Sequence, residues 1–175
     1  LRGLEGVGAA AYFGVLDEMI LQKDFCFHGR SRRPPLDPFN ALLSFAYSLL
    51  DKDCASALES VGLDAYVGFL HRDRPGRRSL ALDLMEELRP SLADRFVLKL
   101  VNNRIVKEKD FEKREGGAVY LKDDARRLFL KHWQERKRET LTHPYLGEKL
   151  PWGLIPYVQA LLLARSLRGD LDAYP

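Results

Sequence analysis

Cysteine is scarce in this chain. Cys26 and Cys54 are its only two, too few for a disulfide scaffold and without the partner spacing of a zinc site. A reduced, intracellular chain is the simplest expectation. Long apolar runs are also missing: the stretches around Ala9–Ile20 and Gly153–Leu167 are too short, or too interrupted by charge, to span a bilayer. The front carries no signal-peptide pattern, and a cytoplasmic location with no membrane partner is expected. There is no initiating methionine at Leu1, so the sequence reads as a piece of something longer. No Gly-rich phosphate loop, nucleophile elbow or HExxH helix occurs, which removes support for kinase, P-loop ATPase, hydrolase-triad and zinc-protease readings. Internal repeats and low-complexity tracts are absent as well. Nor does one sign of charge dominate: 28 Lys plus Arg face 25 Asp plus Glu, a net +3 that excludes a uniformly basic protein but not a local basic surface.

What is present is core material and helical periodicity. Of 175 residues, 46% are hydrophobic and 30% charged, a composition incompatible with disorder along the whole chain. Leu4, Val7, Ala11, Val15 and Met19 recur at helical spacing. Residues 24–35 break that pattern with a basic loop. Asp37-Pro38 is a helix start, an N-cap carboxylate followed by proline at the first helical position. The helix it opens runs to Gly62, a natural stop. Ser79 is expected to cap the next helix, which Pro90 should interrupt before a further helical run through Val101. Glu115-Gly116-Gly117 followed by Ala118-Val119-Tyr120 predicts a small β-hairpin over 111–121. A charged helix then starts at Asp123 or Asp124, residues 143–153 read as a loop, and a last helix covers 155–167. The fold class is mainly α: a helical domain over residues 1–175 with one small hairpin.

Few ionisable residues stand out individually. Glu5 falls in the first turn of the first helix, where the helix dipole alone favours a carboxylate. His71 follows Gly68-Phe69-Leu70 and opens an arginine-rich loop. Asp83 and Glu86 lie three apart on a helix, so both point to one partly apolar face. Two readings stay open there: an exposed acidic face completed by Glu87, or a hard-metal site in which carboxylates and an imidazole take Mg²⁺ or Mn²⁺. Arg72, Arg74, Arg77 and Arg78 crowd the same loop, opposed by Asp73 alone. Guanidinium groups beside an acidic site favour phosphate chemistry. A second basic region over 107–138 reads as a salt-bridged helix face and, at most, a DNA-backbone surface. Within it Trp133 reads as core and His132 as an exposed partner of Glu135. His28 and His143 sit in loops, where spacing supports no ligand set.

Taken together, certain motifs resemble the CRISPR-associated spacer-acquisition endonucleases, the integrases of the adaptation complex. They are Leu1-Arg2-Gly3-Leu4-Glu5-Gly6 with Tyr12-Phe13, Asp37-Pro38-Phe39-Asn40-Ala41-Leu42-Leu43, and Gly62-Leu63. They continue in Gly68-Phe69-Leu70-His71 and in Ser79-Leu80-Ala81-Leu82-Asp83-Leu84-Met85-Glu86 with Arg89-Pro90. The ending, Ile155-Pro156-Tyr157-Val158-Gln159-Ala160 and Arg168-Gly169-Asp170-Leu171, is similar to members from a subset of type I systems. The resemblance implies that this chain is the C-terminal helical catalytic domain of a two-domain protein, without the family's N-terminal β domain. It implies a site in which Glu5, His71 and Glu86 hold Mn²⁺ or Mg²⁺, with Asp83 on the neighbouring acidic position. The fifteen-residue separation of His71 and Glu86 fits that subset. The activity implied is cutting and joining of DNA phosphodiesters during spacer acquisition, on protospacer and repeat DNA, duplex or branched. Arg72, Arg77 and Arg78 would supply positive field for phosphate. The implied partners are a second copy of the protein and the small companion protein of the adaptation complex. The competing expectation is a catalytically silent helical DNA-binding or assembly module.

Overall fold

The first apolar stripe forms α1 (Arg2–Leu16), which passes into a short 3-10 turn at Asp17–Met19. The computed structural model describes residues 2–175, except for the side chains of Arg2, Leu4 and Glu5. Glu5 therefore stands on α1, but as a site residue it lies outside the described residues. Four further helices and two strands complete the first half of the order: α2 (Pro38–Ser60), α3 (Ser79–Leu88), α4 (Arg95–Asn102), then β1 (Phe111–Lys113), β2 (Val119–Leu121) and α5 (Asp123–Arg138). After these come β3 (Thr140–Thr142), β4 (Lys149–Pro151) and α6 (Ile155–Leu167). The architecture is mainly α with two small antiparallel strand pairs, β1–β2 and β3–β4. Among the described residues, no helix is long and apolar enough to cross a membrane.

The chain divides into two compact units. The first takes the segment up to Tyr47 together with Ala93–His132. Asp37 begins α2 as expected: its Oδ1 accepts the Asn40 N–H at 2.7 Å, satisfying an orphan donor of the first turn. The core of this unit is aromatic. Phe27 touches both Phe13 and Phe39, and Phe129 meets Phe45 at 4.9 Å and Phe96 at 5.1 Å between ring centroids. Asp94, 1% exposed, accepts the Tyr12 hydroxyl at 2.8 Å and the Tyr47 hydroxyl at 2.6 Å. The expected hairpin forms in the register Phe111↔Leu121, Glu112↔Tyr120, Lys113↔Val119. Gly116 and Gly117 both take positive φ in its turn, the backbone region that glycine enters without penalty.

The second unit comprises Ser48–Leu92 and Trp133–Pro175. Its core joins Leu50, Cys54 and Leu58 of α2 with Leu80, Leu84, Met85 and Leu88 of α3 and Ile155, Ala160 and Leu162 of α6. Trp133 is buried as core. Two local expectations are corrected here and one is refined. Ser79 is already inside α3 rather than its cap, and its hydroxyl donates to the Arg72 carbonyl at 3.1 Å. As expected, the regular α-helix is interrupted at Pro90, α3 ending at Leu88. Residues Arg89–Asp94 widen into a π-turn that leads into α4; proline supplies no N–H and crowds the carbonyl four residues back, and the wider turn accommodates both. The segment read as a loop contains a second hairpin, with Thr140↔Pro151, Leu141↔Leu150 and Thr142↔Lys149 as partners.

Candidate active site

The geometry that matters is built where a loop returns onto α3. Three consecutive backbone N–H groups donate to one carboxylate: Phe69 and Leu70 to Asp83 Oδ2 at 2.6 and 3.0 Å, and His71 to Oδ1 at 2.9 Å. Gly68 makes that approach possible. A Cβ there would stand 2.6 Å from Ser79 Cβ and 2.8 Å from the His71 carbonyl oxygen. The Gly68 N–H also reaches Asp73 Oδ1 at 3.2 Å, so the loop is closed on both sides.

Asp83 then does a second thing. Its Oδ1 lies 2.6 Å from Nδ1 of the His71 ring. The Asp83 side chain is 8% exposed and that of His71 18%. Burial by itself would raise the Asp83 carboxyl, but the Leu70 N–H, the His71 ring and the N–H groups of His71 and Phe69 outweigh it, holding the carboxyl below its ordinary value. An ionised carboxylate only accepts, so Nδ1 donates to Asp83 and Nε2 is left for another partner. Nε2 lies 3.8 Å from Glu86 Oε1, which is also 2.7 Å from Arg89 Nη1. A carboxylate–histidine pair with the far nitrogen open is how proteins orient a metal-binding imidazole. His71 Nε2 and the Glu86 carboxylate are thus a donor set that fits a hard divalent ion. Among the described residues, no third His, Cys, Asp or Glu joins them into a cage.

Arg89, of the Arg89-Pro90 motif, adjoins Glu86. Its Nη1 lies 2.7 Å from Glu86 Oε1 and 2.8 Å from Oε2, an i,i+3 pair that fixes the carboxylate. The spacing Glu86–Arg89 was the available signal. The loop arginines separate into two groups. Arg78 is bonded to Asp51 of α2, whereas Arg72, Arg74 and Arg77 have no ion-pair partner among the described residues. Glu87 points elsewhere: it accepts Tyr174 Oη at 2.6 Å and Gln159 Nε2 at 3.0 Å.

His143 is buried with both ring nitrogens used, Nδ1 accepting the Leu146 N–H and Nε2 at 3.0 Å from Gln159 Oε1. On α5, Lys137 holds Asp53 at 2.9 Å, and Arg136 pairs with Glu139 while lying over the Trp152 ring. Cys54 is buried, and burial together with the charges of Asp53, Asp51 and Glu87 pushes its thiol far up, against the lowering effect of Arg89. It is not a nucleophile. In the first unit, a cleft of about 570 Å³ is lined by Ala9, Phe13, Phe27, His28 and Arg32, among others; none of the site residues lines it.

Comparison with known proteins bears on the chain as a whole. The family model described as CRISPR associated protein Cas1 matches residues 1–135. CRISPR-associated endonuclease Cas1 2 of Rhodospirillum rubrum is 63% identical over 177 residues, an alignment covering 100% of this chain and 52% of that protein. The chain spans about half the length of this relative and of CRISPR-associated endonuclease Cas1 1 of Chlorobaculum tepidum. Among solved structures, a casposase bound to integration product superposes with a TM-score of 0.89 at 29% identity, over 98% of this chain and 48% of that one. A chain of a Cas6-RT-Cas1–Cas2 complex superposes with a TM-score of 0.85 at 26% identity, over 99% of this chain and 19% of that one.

Proposed function

Because this chain belongs to the CRISPR-associated Cas1 family, we propose that it is the catalytic portion of a metal-dependent DNA endonuclease and integrase that cuts and joins DNA phosphodiesters in spacer acquisition. The observation that carries the reading is the His71 ring, whose Nδ1 is held by Asp83 so that Nε2 faces Glu86. The names of the relatives, endonucleases, and of the casposase structure with its integration product support the same chemistry.

Mn²⁺ or Mg²⁺, when bound, would polarise a phosphoryl oxygen and lower the barrier to attack by water or a DNA 3′-hydroxyl. His71 and Glu86 would hold it, with Glu5 as the third ligand by its motif. Asp83 is a positioning residue that keeps the imidazole in the ligating tautomer. Arg89 holds the Glu86 carboxylate in place. Arg72 and Arg77 offer unengaged guanidinium groups to phosphate oxygens and to charge that builds on the phosphorus in the transition state. Arg78, tied to Asp51, contributes positive field at a fixed position.

The reading extends to assembly. DNA, protospacer and repeat, is the substrate; a second copy of the protein and the small companion protein are the partners, as the name of the Cas6-RT-Cas1–Cas2 complex suggests for its own members. Membership of a type I subset and a cytoplasmic location belong to the same proposal. The test is cleavage and strand joining by the full natural protein in Mn²⁺. Glu5→Ala, His71→Ala and Glu86→Ala are each expected to abolish product while the circular dichroism stays native. Full activity in all three overturns the proposal. DNA binding without product under any divalent metal leaves a silent assembly module instead.

A further inference from the structure

A π register and a proline in second place make the turn after α3 a weakly held piece of backbone. Residues Arg89–Asp94 close wider rings than an α-helix does, and Pro90 supplies no N–H. The first residue of that turn is Arg89, whose guanidinium fixes both oxygens of Glu86. Any drift of the turn therefore reaches the carboxylate assigned to the metal.

One side chain from far along the sequence fastens this turn. Arg136 of α5 donates from Nη2 to the Ser91 carbonyl at 3.1 Å. Its Nη1 pairs with Glu139, and its Cζ lies 4.7 Å from the centre of the Trp152 ring. Trp152 is itself seated, its backbone N–H donating to the Glu139 carbonyl at 2.9 Å. The next residue, Gly153, lies so close to α5 that a Cβ there would stand 3.2 Å from Lys137 Cβ. A planar guanidinium held along one edge and over one face offers its remaining edge in a single direction. The Arg136 side chain is 17% exposed, so salt and water screen these contacts little. The Glu139 pair ties α5 only to itself. The bond to Ser91 is the one that leaves the helix, and it lands on the π-turn.

We propose that Arg136 is a positioning residue for the metal site, holding the π-turn so that Arg89 keeps Glu86 beside His71 Nε2. The relay runs from the Arg136 fork to the Ser91 carbonyl, through the backbone to Arg89, and from Arg89 to Glu86. It rests on the metal-dependent reading above and adds a residue of α5 to it.

The test measures Mn²⁺ binding to the full natural protein directly, by loss of the free-ion electron paramagnetic resonance signal with no DNA present. Arg136→Lys keeps the charge but cannot hold Glu139 and Ser91 with one planar fork. It is expected to weaken Mn²⁺ binding about tenfold, the lower end of what losing support behind a metal ligand costs, with native circular dichroism. Glu139→Gln leaves the Ser91 bond in place and should change binding by no more than about twofold. Whatever Arg89→Ala does by itself, adding Arg136→Lys to it should cost nothing further, because the relay is already cut. If Arg136→Lys does not fold, Trp152→Leu loosens the same guanidinium and should give a smaller loss that likewise vanishes beside Arg89→Ala. The proposal is overturned if the folded variant binds Mn²⁺ like wild type, or if its loss persists undiminished beside Arg89→Ala. Either result, with Mn²⁺ binding lost in His71→Ala, keeps the metal site and removes Arg136 from it. Wild-type protein that takes up no Mn²⁺ removes both.

Discussion

Asp83 grips His71 at two points, its Oδ1 lying 2.6 Å from the ring Nδ1 and 2.9 Å from the backbone nitrogen of the same residue. Ring orientation and main-chain position are therefore set by one carboxylate. The ring can neither rotate nor exchange its tautomer without losing a charge-assisted hydrogen bond.

Replacing that carboxylate separates its two duties. Asp83→Asn keeps the shape but removes the ionised acceptor, so Nδ1 is no longer obliged to carry the proton. Activity is expected to fall roughly 10- to 100-fold, the usual effect of losing the group behind a metal-binding histidine. A Mn²⁺ titration of cleavage should show weaker apparent metal affinity in the variant; an unchanged titration curve would count against the assignment.

Acid should act through the same residue. Burial opposes ionisation of Asp83, but the three N–H groups and the His71 ring win and hold its carboxyl below the ordinary range in the fold. Its contribution to stability is complete above the unfolded value of about 4 and is lost as the pH falls below that, through the folded value. Urea midpoints of wild type and Asp83→Asn should differ above about pH 4 and converge as the pH falls below that. A gap that persists undiminished to pH 2 would contradict this.

Gly68 has no room for a side chain, with Ser79 Cβ 2.6 Å and the His71 carbonyl oxygen 2.8 Å from where a Cβ would stand. Gly68→Ala must push the loop off α3. The expected penalty is about 1–3 kcal/mol, typical of overpacking, together with a larger loss of activity than of stability. Thermal unfolding and a cleavage assay on the same preparation would show whether the two effects separate.

In the first unit, Asp94→Ala would leave the Tyr12 and Tyr47 hydroxyls without the acceptor they share. A destabilisation of about 1–3 kcal/mol per stranded hydroxyl is expected, read as a lower urea midpoint. Asp94→Asn, which keeps an acceptor oxygen, should recover part of it.

The end of the chain makes its own prediction. Tyr174 Oη donates to Glu87 and lies 2.9 Å from Gln159 Nε2, and burial beside Glu87 pushes the phenol far up. Tyr174→Phe should release this contact, seen as faster amide exchange over residues 170–175 with little change in melting temperature.

Much of this was legible in the residues. Asp37-Pro38 announced α2, Gly116-Gly117 announced the first hairpin, and the three-residue step from Asp83 to Glu86 placed both acids on one face. The rest was hidden for identifiable reasons. Asp83 binds main-chain N–H groups, which every residue but proline carries, so positions 69 and 70 hold no side-chain trace of the contact. Strands of three residues, such as Thr140–Thr142, are too short to display alternation. The difference between His71 and His143 was also invisible, since it depends on which atom meets each ring nitrogen. His71 has a carboxylate at Nδ1, whereas His143 accepts an N–H there.

That the loop before His71 is fastened by its main chain has an evolutionary consequence. A new side chain at position 69 or 70 leaves every hydrogen bond to Asp83 intact, provided it is not proline. What the protein shows to solvent there can therefore drift or be selected independently of the histidine two residues on. Gly68 enjoys no such latitude. The turn is in effect an interchangeable tip on a fixed mount, and variation among descendants of this sequence should collect at the tip.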